Sequence, residues 1–265
     1  MADLSCLEGN VDVVISYLHT KNNGEELRYA LRSIHRNVLW PRKVWVVGDR
    51  EDWFSDELGF LQVNQLPKGI PHRRVRDGAH KVLTWGELPD AAPFFVWWYD
   101  DVYAMKPTEL SDIFPAPSAG RVTQEAVDNW KVLQPWRHWK KDTFKAILKQ
   151  GITPWDMTTH LPQMFNVVLL KAVTEEYPLI DGNLPQLTYA ADLHFNTGTT
   201  PPPISDGLRF RVHLKKEMPT LEEAMSCKIM CPMNGLWYKK DFRNLVKGVF
   251  PDPSPYEKVE EVIAA

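Results

Sequence analysis

Cysteine is scarce in this chain: Cys6, Cys227 and Cys231 are the only three in 265 residues. An odd number without metal-ligand spacing excludes a disulfide scaffold, and a chain of this length buries roughly three quarters of its unfolded surface without staples. Reduced thiols and a cytoplasmic setting are therefore expected, with Cys227 and Cys231 as core residues. Charge of one sign is also missing. Lys and Arg number 31 against 34 Asp and Glu, a net −3, which argues against a broad electrostatic grip on nucleic acid. Long apolar runs are absent too, since Pro93 to Tyr99 falls far below the ~20 residues of a membrane span. Asp3, Glu8 and Asp12 stand where a signal peptide would carry a basic and then an apolar region. No repeat or low-complexity tract occurs. In abundance are tryptophan and proline, 11 and 21 residues, which suggest a rigid protein with ordered loops and pockets.

Regular elements are legible in the first hundred residues. Val11 to Tyr17 is a β-branched run followed by the turn-like Lys21-Asn22-Asn23-Gly24, and it predicts a buried strand. Leu27, Leu31 and Ile34 then recur at helical spacing, and Val44 to Val47 is a second buried strand ending at Gly48-Asp49. Strand, helix and strand at this spacing predict a βαβ unit with parallel strands. Leu61 to Val63 reads as a short strand, and Asp77 as the cap of a helix through Trp85. Phe94 to Tyr99 is a third strand, apolar throughout, and it ends on Asp100-Asp101. Beyond Pro107 the alternation is irregular. A short helix is expected over Thr143 to Gln150, a strand over Leu208 to Leu214, and a helix opened by Thr220 with Glu223 completing a capping box.

Two adjacent carboxylates at the carboxyl end of an apolar strand carry the chemistry. Ligands of open α/β sheets bind beyond those ends, and paired Asp oxygens suit Mg²⁺ or Mn²⁺ bridging the phosphates of a nucleotide. The alternative for such a pair is a solvated turn. Trp130 to Lys141 interleaves aromatic and basic residues, and His72 to Arg76 is a second basic cluster that could belong to the same surface. Trp130, Trp136, Arg137 and Trp139 read either as a surface that stacks an acceptor ring and holds phosphates, or as tryptophans packed under a loop.

Glu26-Leu27-Arg28-Tyr29-Ala30-Leu31-Arg32-Ser33-Ile34, Val44-Trp45-Val46-Val47-Gly48-Asp49 and Phe94 through Asp100-Asp101-Val102-Tyr103 resemble successive blocks of the Stealth family of sugar-phosphate transferases. His160-Leu161-Pro162 resembles a later block of that family. The same blocks resemble compact phage-encoded glycosyltransferases of the GT-A type. Tyr99 stands where an Asn usually precedes the Asp pair. The resemblance implies an α/β, GT-A-like fold, a Rossmann-type mixed sheet flanked by helices. It implies one catalytic domain with a nucleotide-sugar-binding half over 11–110, an acceptor-side half over 111–250 and a peripheral tail over 251–265.

The implied activity is metal-dependent transfer of a sugar from a nucleotide-sugar, a UDP-sugar first, to a hydroxyl acceptor. That acceptor is a glycan, a small molecule or, in a phage-encoded enzyme of the host cytoplasm, a hydroxymethylated pyrimidine in DNA. Transfer of a sugar phosphate and a non-catalytic nucleic-acid or glycan-binding module are the competing readings. Under the resemblance Asp100 and Asp101 bind Mn²⁺ or Mg²⁺, and Arg28, Asp49, Lys81, Asp100 and Asn234 bind the donor. His160, Asp192 and Asp156 are the candidate catalytic groups, and His194, His213 or Asn234 supplies a late ligand.

Overall fold

The computed structural model describes residues 4, 7–19, 22–70, 73–130, 135–181, 183–213, 218–233 and 235–258, and the side chains at 74, 75, 135, 136 and 180 fall outside that description. The apolar run at the N-terminus forms β1 (Val11–Tyr17), and the helical repeat after Gly24 forms α1 (Glu25–Asn37). There follow β2 (Val44–Gly48), β3 (Gly59–Gln62), α2 (Arg73–Trp85) and β4 (Phe94–Trp98). These four strands are parallel in the order β3-β2-β1-β4, and β6 (Gln163–Asn166) adds to β4 antiparallel. The expected mixed α/β sheet flanked by helices is thus present.

Period-two alternation sorts each strand between two layers. Val13, Ile15, Val46 and Val96 pack with Leu27, Leu31 and Ile34 of α1. Val14, Val47 and Phe95 pack on the other face with Ala79, Val82 and Trp85 of α2. Burial of both faces is why these strands read as unbroken apolar runs. The chain leaves β1 toward β2 and β3, then returns through α2 to the other side of β1 as β4. Strand order therefore reverses between β1 and β4, and such a reversal opens a crevice at the carboxyl ends.

A second sheet is made by β5 (Tyr103–Ala104), β7 (Arg209–Val212) and β8 (Ile229–Pro232), in the order β5-β8-β7. It is tied to α1, where Ser33 Oγ accepts from the Ala104 amide at 3.0 Å and Asn37 Nδ2 donates to the Ala104 carbonyl at 2.7 Å. The remaining helices are α3 (Leu110–Ile113), α4 (Gln124–Asp128), α5 (Pro135–Lys149), α6 (Val167–Glu176), α7 (Pro185–Thr197), α8 (Leu221–Ser226) and α9 (Lys240–Val249). Thr220 caps α8 and Glu223 closes the box, as expected.

Three expectations are corrected. Asp77 lies inside α2, where it pairs with Lys81 one turn on at 2.9 Å and accepts from the Leu66 amide, so it is no cap. The helix expected from Thr143 starts eight residues earlier, at Pro135, and takes in much of the aromatic-basic segment. The tail is not peripheral over 251–258. Glu257 is 7% exposed and accepts two hydrogen bonds from Arg32, at 2.8 and 2.7 Å, while Ser55 and Trp53 bond the backbone on either side of it.

Candidate active site at the strand ends

Asp100 and Asp101 are the two central residues of a tight turn that leaves β4. The Val102 amide donates back to the Tyr99 carbonyl at 3.3 Å, and Trp98 Nε1 donates to the Val102 carbonyl at 2.9 Å. A turn closed in this way holds both carboxylates at the mouth of the crevice. Glu26, in the first turn of α1, joins them. Burial pushes Glu26 up to about 7, with Asp100 adding to the rise. Burial also pushes Asp100 up to about 6, against the pull of its own backbone amide and of the Lys81 ammonium. Asp101 rises well above the usual carboxylate range through burial, then Asp100, then Glu26. The three groups feel one another, and desolvation makes each charge costly.

Tyr103 closes the floor of this cluster. Its hydroxyl is fully buried without a hydrogen-bond partner among the described residues, and Asp101, Glu26 and Asp100 all act on it after desolvation to raise its pKa. A buried orphan hydroxyl beside three carboxylates marks a polar site built for something more than these side chains. Among the described residues, no group of three or more His, Cys, Asp or Glu is placed to hold a metal ion. A magnesium-like ion usually takes only one or two carboxylates and completes its shell with water and substrate phosphates, and the adjacent Asp100 and Asp101 offer two.

Lys81 lies beneath the crevice and 2% of it is exposed. Its ammonium donates to the Tyr17 carbonyl at 2.8 Å and pairs with Asp77, so it joins α2 to the end of β1. Its charge reaches Asp100, but it stands under the carboxylates and its nitrogen is occupied. On the other side of β1, Asp49 accepts from the His19 amide at 2.8 Å, while Glu51 accepts from the Tyr17 hydroxyl and lies 2.7 Å from His19 Nδ1. Asp49 therefore sits on the rim, with His19 as a neighbour that the sequence reading did not select.

His160 enters from the loop before β6. Its φ of +57° is uncommon for a residue with a side chain, and it is held by bonds to the second sheet. Arg209 donates to the Thr159 carbonyl and Cys231 Sγ to the His160 carbonyl at 3.1 Å. The His160 ring lies 6.2 Å from that of Tyr99. Partial desolvation, then Arg211, Arg209 and Lys140, hold its pKa down to about 4, so the exposed imidazole is neutral at pH 7.

Other expected residues are not brought to the cluster. Arg28 follows Glu26 by two positions, about 200° round the helix. It stacks on Trp53 at 4.7 Å and lies 3.6 Å from Glu257. Asp192 accepts from Asn196 at 3.0 Å and lies on α7 about 9 Å along the axis from Gln186, the residue of that helix that bonds Tyr99. Asp156 is bound to Lys140 and, through its other oxygen, to the Thr158 hydroxyl at 2.6 Å. His194 is 7% exposed and lies 2.8 Å from Thr199 Oγ1 near the end of α7, committed away from any metal. His213 follows β7, and Asn234 lies outside the described residues.

The aromatic-basic segment forms a separate wall. Trp130 stacks on Phe144 at 6.0 Å, with the Lys140 ammonium 4.9 Å from its ring centroid. Trp130, Arg137 and Asp156 share the lining of one cavity. Trp139 is not among that lining, and the Trp136 side chain lies outside the described residues.

No protein-family model matches the chain, and no curated protein matches it either. Among solved structures, the fold is similar to that of LgtC. A chain of an active-site mutant of LgtC aligns at a TM-score of 0.45 and 12% identity, covering 95% of this chain and 98% of that one. A second, the galactosyltransferase LgtC in complex with donor and acceptor sugar analogues, aligns at 0.45 and 12%, covering 92% and 98%. At that level of likeness the site itself has to carry the functional reading.

Glu26, Tyr103, Arg209 and Arg211 were not selected from sequence. Glu26 left a trace, as the acidic residue two before Arg28 on a helix that follows the first strand. Tyr103 closed the block that holds the Asp pair, two residues beyond Asp101, while the two arginines left no trace because β7 joins the site only through its pairing with β8.

Proposed function

We propose that the protein is a GT-A-type glycosyltransferase that moves a sugar from a nucleotide-sugar donor to a hydroxyl acceptor. The observation that supports it is the crowding of Glu26, Asp100 and Asp101 at the point where strand order reverses, with an orphan hydroxyl beneath them. Asp100 and Asp101 would hold Mn²⁺ or Mg²⁺, which supplies positive charge to the departing nucleoside diphosphate. Glu26 adds negative charge to that pair, and Lys81 offsets part of it from below while fixing the end of β1 against α2. Asp49 and His19 line the rim where the ribose or base of a UDP-type donor lies in this reading.

His160 faces the acceptor. With its pKa near 4 it is neutral and accepts a hydrogen bond from the acceptor hydroxyl, although it is a weak base for holding the proton. The Trp130 wall receives the ring of the acceptor. Asn234 and His213 follow the ends of the paired strands β8 and β7, and remain in this reading the donor-side groups supplied late in the chain.

The test is calorimetric titration of UDP, GDP and UDP-glucose with and without Mn²⁺ into wild type and Asp101→Asn. Metal-dependent binding of one nucleotide, lost in Asp101→Asn, is expected. Absence of binding to every nucleotide, with Mn²⁺ or without it, overturns the reading. Product mass then separates transfer of a sugar from transfer of a sugar phosphate, since only the second leaves phosphorus in the product.

A further inference from the structure

A cavity of about 560 Å³ opens beside the strand-end crevice, lined by Arg121, Val122, Asn129, Trp130, Arg137 and Asp156 among others. Its volume falls within the roughly 300–1,000 Å³ of small-molecule sites. Two aromatic residues form part of its surroundings: Trp130 stacked on Phe144, and Trp155 with the Arg121 guanidinium 5.2 Å from its ring centroid. Asp156 is the one carboxylate among the described lining residues, and both of its oxygens are engaged, by Lys140 and by Thr158.

Positive charge continues from this cavity toward the crevice. Lys140 is 5% exposed, and its pKa is lowered by desolvation in spite of the Asp156 partner, with Arg137 and Arg211 pushing the same way. Arg209 is lowered by desolvation, and Arg211 adds to it. Arg211, Arg209 and Lys140 all act on His160, which stands beside Tyr99 and hence beside Asp100. A basic band thus runs from the acidic turn to an aromatic-lined cavity.

We propose that this cavity binds a phosphate-bearing acceptor, a sugar phosphate whose ring lies against Trp130 and whose phosphate is held by the two arginines of the lining, Arg121 and Arg137. The proposal rests on the transferase reading for the word acceptor; the anion site itself stands on the cavity and its charges. Arginine forks grip a tetrahedral oxyanion through paired N–H bonds, and an aromatic face suits a sugar ring. The net charge of −3 favours a small molecule over a nucleic acid strand, which needs a basic track along its backbone.

Calorimetric titrations of inorganic phosphate, glucose 6-phosphate, glucose and a short oligothymidylate test this, each run with and without saturating UDP and Mn²⁺. Glucose 6-phosphate is expected to bind at least about tenfold more tightly than glucose, as one or more charge-assisted hydrogen bonds would give. The exposed Arg121→Gln and the half-buried Arg137→Gln each weaken phosphate binding by about tenfold and leave UDP binding unchanged; unaltered circular dichroism and melting temperature establish that both fold. Asp101→Asn gives the reverse pattern. Equal affinity for glucose and its phosphate overturns the proposal. So does an oligothymidylate that binds more tightly than glucose 6-phosphate, or a phosphate response indifferent to both arginines. Phosphate binding without any UDP binding overturns the transferase reading and leaves the anion site in place.

Discussion

Gly48 is a point of close approach between β2, the end of β1 and Lys81 of α2. Its φ is +136°, and a Cβ there would lie 2.0 Å from the Tyr17 carbonyl oxygen and 3.1 Å from the Lys81 ammonium. That carbonyl is the acceptor that anchors Lys81, so one glycine lets β1, β2 and α2 meet beneath the carboxylates. Gly48→Ala combines a strained backbone with a clash against main chain that has no room to move. A loss of at least ~2 kcal/mol is expected from urea unfolding, since strain of this kind alone costs of order 1–3 kcal/mol. Donor binding should weaken in the fraction that remains folded, because the Lys81 anchor moves with the carbonyl. A variant as stable as wild type would show that the β1 and β2 ends adjust freely. The Asp pair has the opposite character: burial penalises both carboxylates, and their own backbone amides and, for Asp100, the Lys81 ammonium offset only part of it. Residues that burden the fold in this way are the usual mark of a functional site.

The C-terminal strap shows what an element gains from a single carboxylate. Glu257 accepts from Arg32 Nε and Nη2, from the Ser254 amide and from the Ser254 hydroxyl, and Arg32 Nη1 further donates to the carbonyls of Phe250 and Pro251. Burial alone would raise the Glu257 pKa, but Arg32 and Ser254 outweigh it and hold the group below 4.5. A depressed carboxylate contributes stability that is present above the unfolded value and is lost as pH falls through the folded one. Glu257→Gln is therefore expected to cost about 1–3 kcal/mol at pH 7, with the gap to wild type shrinking below pH ~4.5, as measured by urea unfolding across that range. A gap that is constant with pH would mean the charge on Glu257 does not matter. No pattern in the sequence announces this strap, because three prolines and acidic residues resemble a solvated tail and the partner Arg32 is over two hundred positions away. By contrast β1, α1, β2 and β4 were legible, each being long, periodic and buried on the layer that its pattern implies. β3 was displaced by two residues, and β5 and β8 were not seen at all, because strands of two to four residues exist only through their partners. The Asp pair was visible as the end of a strong strand, whereas the partners of Asp156, Asp192 and Arg28 depend on helix phase and tertiary packing and were not legible.

Over the whole molecule, the two sheets share one interior. Val13, Ile15 and Val46 of the first sheet lie in the same core cluster as Ala104, Ile229 and Cys231 of the second, and α1 stands between them. The same helix turns Tyr29 and Ala30 into the cluster that holds Tyr103, Trp237 and Phe242. A helix buried on two sides cannot release one sheet without exposing the apolar surface of the other, so the two sheets are expected to unfold together. Asn37 tests the coupling because its side chain crosses from the end of α1 to the Ala104 carbonyl and is 8% exposed. Asn37→Ala leaves that carbonyl unpaired in the interior, at a cost of about 1–3 kcal/mol. If the molecule is one cooperative unit, far-ultraviolet circular dichroism and tryptophan fluorescence give a single coincident urea transition in wild type, and the variant shifts both by the same amount. Two separated transitions, with Asn37→Ala moving only one, would instead divide the chain into independent halves. In that case the carboxylates of β4 and the basic band of β7 would be held together only by a loose interface. The geometry argues against it: Cys231 of β8 bonds the His160 backbone while Asp101 bears on its thiol, so both sheets already meet at the site.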